Sequence, residues 1–138
     1  MLDLERIEFI IEDVNFLISK LESFEIKKLD DLKDDKNFYS SSMVIFSILN
    51  RCVDLAEQIV EGKKIGFAMK YRDFFKMLED KNILSKETSE EIQELIIKRN
   101  KISHRYFSVT KEELFDVLNK LPVVRRFIQE VQESLKKQ

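Results

Sequence analysis

Two glycines and one proline in 138 residues leave this chain few places to turn. Domains built on β-sheets need many turns, so this scarcity predicts long helices joined by few loops. Periodicity agrees. Ile7, Ile10, Ile11, Val14, Leu17, Ile18 and Leu21 follow the i, i+3, i+4, i+7 spacing that lines one helical face, predicting a first helix from about Leu2 to about Phe24. Lys27 to Lys36 reads as a charged connector, whose aspartates suit a loop and the positive end of the next helix. A second helix is expected from about Asn37 to Val60, striped by Ile45, Ile48, Leu49, Cys52, Leu55, Ala56 and Ile59. Gly62 is the expected stop, since glycine tolerates the left-handed conformation past a helix end.

A short third helix covers about Tyr71 to Glu79, with Phe74, Phe75 and Leu78 as its apolar contacts. The fourth starts near Ser85 or Thr88, and Thr88-Ser-Glu-Glu91 has capping-box spacing. Thr110-Lys-Glu-Glu113 is a second such box, opening a fifth helix with Leu114, Val117, Leu118 and Leu121. Pro122 either kinks that helix or takes the first position of a sixth. The expected fold is therefore all-α, an antiparallel four-helix-type bundle with one additional short helix, and residues 1–138 are expected to form a single domain.

Composition excludes some classes of function. With 43% hydrophobic and 36% charged residues, the chain is neither a disordered tail nor a membrane protein. Charged residues follow Met1 at once, predicting no signal peptide, and the expected location is the cytoplasm. The only cysteine, Cys52, rules out an internal disulfide and reads as a small core hydrophobe, with a reactive thiol as the alternative. One histidine and one cysteine cannot make a typical zinc site, and no phosphate-binding glycine loop is present, so no metal or cofactor is expected.

The net charge of −2 exerts no global pull toward nucleic acid, which makes the distribution of charge more informative than its sum. From Leu95 to Lys111 there is no acid, while Lys98, Arg99, Lys101 and Arg105 surround the single histidine, His104. A second acid-free stretch, Gly62 to Arg72, holds Lys63, Lys64, Lys70 and Arg72. The two together are a candidate phosphate-binding surface. The fourth helix also breaks its own pattern. Its stripe of Ile92, Leu95 and Ile96 continues through Arg99, Ser103 and Tyr106, and a buried guanidinium requires a partner. A blander account exists for the charges. Cations late in a helix meet the negative end of its dipole, so Lys98, Lys101 and Arg105 could be solvated caps, and Tyr106 could simply anchor the helix end.

Arg99-Asn100-Lys101-Ile102-Ser103-His104-Arg105-Tyr106 has the form R-x4-H-x-Y. With the preceding segment from Tyr71-Arg-Asp through Ile83-Leu84, it resembles the signature of HepT-type toxins of the HEPN superfamily, across essentially the whole chain. The resemblance implies a metal-independent endoribonuclease that is the toxin of a toxin–antitoxin pair, silenced when a small MNT-type nucleotidyltransferase antitoxin transfers AMP to the motif tyrosine. In that reading Arg99 binds phosphate and stabilises the transition state, His104 is the general acid or base, Asn100 supports them, and Tyr106 accepts AMP. Lys98, Lys101 and Arg105 would contact RNA phosphates. The chemistry suits the residue types: histidine exchanges protons near neutral pH, and the planar fork of arginine fits phosphate oxygens. Asp54 is a further candidate, to orient Arg99 or His104, with a pair to Arg51 as its alternative.

Five residues at about 100° each set Arg99 and His104 about 140° apart on a helix. They converge only through the length of Arg99, a local break near Ser103, or contributions from two chains. The resemblance implies the last, a homodimer with both motifs lining one cleft, and a larger hetero-oligomer with the antitoxin. The competing readings are a non-catalytic substrate-binding subunit of a separate nucleotidyltransferase, and a plain helical interaction module. A pure adaptor needs neither Arg99 nor His104.

Overall fold

The computed structural model describes residues 1–104 and 109–137, with the side chains of Ser103 and His104 outside that description. Six α-helices and one 3₁₀ turn make up the described fold: α1 (Leu4–Ser23), η1 (Leu29–Lys33), α2 (Asp35–Gly62), α3 (Asp73–Asp80), α4 (Lys86–His104), α5 (Lys111–Asn119) and α6 (Pro122–Lys136). Among the described residues there is no strand, and no helix is long and apolar enough to cross a membrane. The architecture is an antiparallel bundle of the four-helix type with α3 as the extra short element. The fourth arm is divided at Pro122, which opens α6 at its first position, where a missing N–H costs nothing.

The apolar stripes define the core. Ile7, Ile10, Val14 and Ile18 of α1 pack along Ile45, Leu49, Cys52 and Ile59 of α2. Phe75 of α3 meets Phe127 of α6 edge to face, centroids 5.4 Å apart, an arrangement that adds about 0.5–1.5 kcal/mol to the burial itself. Cys52 is fully buried, and that burial pushes its thiol far above the usual range, as befits a core hydrophobe.

Helix ends follow their caps, with three departures from expectation. The connector holds η1, which buries Leu32, and Asp34 begins α2 by accepting from Lys36 N and Asn37 N at 2.8 and 3.3 Å. Gly62 is the last residue of α2, but the left-handed position falls at Lys64, with φ of 52°. What position 62 requires is room: an added Cβ would lie 2.8 Å from Leu2 Cδ2 and 3.1 Å from Leu2 Cα. Thr88 is not the cap of α4. Ser85 Oγ accepts from Thr88 N at 3.1 Å, and buried Thr88 instead donates to Glu130 Oε2 at 2.6 Å and accepts from Arg126 Nε at 2.8 Å. Glu130 Oε1 also accepts from Ser85 N at 2.7 Å, so a carboxylate of α6 sits on the positive end of α4. The box at Thr110 and Glu113 forms as expected.

Candidate active site

Arg99 lies four residues after Leu95 on the buried face of α4, and its residue is only 7% exposed. Its guanidinium is held from three directions. Nη1 donates to Asn50 Oδ1 of α2 at 3.0 Å, and Nη2 donates to Asn100 Oδ1 at 2.9 Å. The Phe46 ring of α2 lies 5.8 Å from the guanidinium carbon, and the Tyr71 ring, just before α3, lies 5.0 Å away. Nε has no partner. Among the described residues no carboxylate pairs with Arg99, so its charge is met only by amide dipoles and aromatic faces.

That environment is unusual for a buried cation. Removing a charge from water costs several kcal/mol after relaxation, which an opposite charge normally offsets. Here the guanidinium instead borders a cleft of about 760 Å³, lined by Arg99, Asn100, Ile97, Tyr71, Lys70 and Glu57 among others. An anion entering the cleft would supply the missing opposite charge. Glu57 also lines the cleft. Burial first, then the neighbouring charges of Glu61 and Asp54, raise its carboxyl above the ordinary value.

The sequence candidates divide. Arg99 and Asn100 stand together at the cleft. Lys98 and Lys101, expected at RNA phosphates, make ion pairs with α5: Lys98 Nζ pairs with Asp116 at 2.7 Å and Lys101 Nζ with Glu113 at 2.7 Å. These contacts, the largest cause in each case, hold the Asp116 and Glu113 carboxyls below their ordinary values. The cations that line the cleft beside Arg99 are Lys70 and Arg72, from the second acid-free stretch. Asp54 pairs with Arg51 at 3.3 Å, and Arg51 Nε also bonds Asp13 of α1 at 2.6 Å. The residue that orients Arg99 on α2 is Asn50, which the sequence reading missed. Its one signal was an amide four positions after Phe46, on the flank of the apolar stripe.

The buried stripe of α4 runs Ile92, Leu95, Ile96, Arg99 and Ile102. Arg105 and Tyr106 lie outside the described residues, as do the side chains of Ser103 and His104. The helical backbone continues through His104, so no break occurs near Ser103, and positions 99 and 104 keep their separation of about 140°.

The described residues thus form an all-α bundle that presents one buried arginine, without a carboxylate partner among them, to a cleft. Residues 15–131 match the family described as ribonuclease HepT-like, and the chain belongs to that family. No curated protein matches it in sequence. Solved structures share its fold at low identity. The HEPN toxin of Shewanella oneidensis, tri-AMPylated and in complex with its MNT antitoxin, is 20% identical with a TM-score of 0.85, over 96% of this chain and 99% of that one. A toxin–antitoxin structure with AMP-PNP is 18% identical with a TM-score of 0.85, over 92% and 97%. YutE of Bacillus subtilis, described as a cytosolic protein of unknown function, is 16% identical with a TM-score of 0.84, over 99% and 92%.

Proposed function

We propose that this chain is a metal-independent endoribonuclease, the toxin of a HepT/MNT-type pair, acting in the cytoplasm as one domain spanning residues 1–138. The observation that carries the reading is the buried guanidinium of Arg99, uncompensated by any carboxylate among the described residues and facing an open cleft. A phosphodiester completes that environment: its oxygens take up the cationic fork, and the charge that develops in the transition state meets a donor already fixed in place. His104 then exchanges the proton at the 2′-hydroxyl or at the leaving 5′-oxygen. Asn50 and Asn100 hold the guanidinium, so that no reorientation accompanies the reaction.

Arg99 is tied inward to α2, and α4 stays helical through His104. Both facts favour a homodimer in which Arg99 of one copy works with His104 of the other. Family membership, and the fold shared with a toxin held by its MNT antitoxin, support such an antitoxin as partner and AMP transfer to Tyr106 as the silencing step. An AMP phosphate near Arg99 would occupy the place of the substrate phosphate.

Purified protein is expected to cut single-stranded RNA in the presence of EDTA. His104→Ala and Arg99→Ala should each lower the rate by about 10²-fold or more while remaining folded, the scale for losing an acid–base group or a charge-stabilising donor. Equal rates for wild type and His104→Ala would remove the catalytic assignment.

A further inference from the structure

The loop between α2 and α3 carries features that phosphate binding leaves unexplained. Phe67 and Met69 are almost wholly exposed, and Tyr71 is 54% exposed. Three large apolar side chains within five residues are costly to leave in water unless something covers them. The loop is nonetheless held in shape. Asp73 Oδ2 accepts from Met69 N at 3.2 Å and Lys70 N at 3.0 Å, and Ile65 N donates to Val60 O at 2.9 Å. Between Gly62 and Arg72 it has four cations and no acid. The Tyr71 ring lies against Arg99 and also lines the cleft, with Lys70, Arg72 and Met69 beside it.

We infer that this loop is a nucleobase platform: Tyr71, with Met69 beside it in the cleft, stacks an unpaired base of the RNA strand whose phosphate sits on Arg99. The inference rests on the ribonuclease reading and adds a distinct contact to it. Aromatic rings interleaved with cations are what a single strand needs, since every base has a π-face and every linkage a charge. The ring also couples the two contacts, because the side chain that takes the base touches the guanidinium that takes the phosphate. Glu57, which also lines the cleft, repels phosphate, and Lys70, Arg72 and Arg99 attract it, so the backbone runs toward those three cations and a base toward Tyr71. Unpaired strands are thereby favoured over duplexes, whose stacked bases cannot be offered to a ring.

The test uses the full-length chain and a 2′-O-methyl RNA oligonucleotide, which cannot be cut, carrying either 2-aminopurine or an abasic site at one position. The expected result is quenching of 2-aminopurine on binding, and about tenfold weaker binding by Tyr71→Leu, within the range that stacking on an aromatic ring contributes. Tyr71→Phe, which keeps the ring, should bind like wild type, and Tyr71→Leu should cause little further loss with the abasic oligonucleotide. If Tyr71→Leu weakens the abasic and complete strands equally, the ring acts only through Arg99 and the platform is overturned, while the ribonuclease reading stands. If wild type binds neither strand, both readings fail together. If Tyr71→Leu or Phe67→Ser changes the sedimentation of the free protein but not oligonucleotide binding, the loop is a subunit contact and the platform is likewise overturned.

Discussion

At the scale of single residues, Arg99 opposes stability to function. Its charge is buried without a counter-ion among the described residues, an arrangement that stabilises a fold poorly. Arg99→Met should therefore leave thermal stability unchanged or raised, while RNA cleavage falls by about 10²-fold or more. Calorimetry beside a cleavage assay reads both. A melting temperature well below wild type would show that the guanidinium holds the bundle together. Asn50 Oδ1 accepts from Arg99, so Asn50→Leu should lower activity by a smaller factor, on the order of tenfold, without unfolding the chain. The stripe through Ile92, Leu95 and Ile96 made the burial of Arg99 legible from the sequence, because helical periodicity is local. Asn50 was not legible, because its partner lies 49 residues away.

At the scale of elements, the ends of α4 are where charge sets stability. Glu130 of α6 accepts from Ser85 N, Ser85 Oγ and Thr88 Oγ1, so Glu130→Ala strands the buried Thr88 hydroxyl at the start of α4 and should cost about 1–3 kcal/mol in chemical denaturation. At the other end, Lys98–Asp116 and Lys101–Glu113 bind α5 to α4. Exposed pairs of this kind contribute about 0.2–1 kcal/mol each. Their carboxyls are lowered in the folded state, so the contribution is complete above the ordinary carboxylate values of 3.8 and 4.5 and is lost as pH falls through the lowered ones. The melting temperature of Lys98→Met/Lys101→Met should thus fall below wild type at pH 7, and the gap should narrow as pH falls below the ordinary carboxylate values. A gap that persists in acid would point to packing of the lysine stems. These pairs were not legible in the sequence, because the carboxylates are 18 and 12 residues distant, on another helix. Thr88 misled for a related reason. Its spacing to Glu91 mimics a cap, but a hydroxyl that meets Glu130 and Arg126 in space is better used inside the bundle.

At the scale of the whole molecule, the fold was the most legible feature, since apolar stripes and the scarcity of glycine and proline permit little except a helical bundle. What periodicity cannot encode is assembly. Positions 99 and 104 of a single copy lie about 140° apart around one continuous helix, and each proposed site combines Arg99 of one copy with His104 of the other. Light scattering should give a dimer for the free protein. Co-expression with an active MNT-type nucleotidyltransferase should add whole AMP units at Tyr106, and Tyr106→Phe should abolish that addition, both readable by mass spectrometry. The most direct measurement is cleavage of single-stranded RNA in EDTA by Arg99→Ala, by His104→Ala, and by the two refolded together. Each variant alone should be nearly inactive. Random pairing gives half heterodimers with one intact site each, so the mixture should recover about a quarter of wild-type activity. A mixture as inactive as its components, beside an active wild type, would contradict a cleft built from two chains.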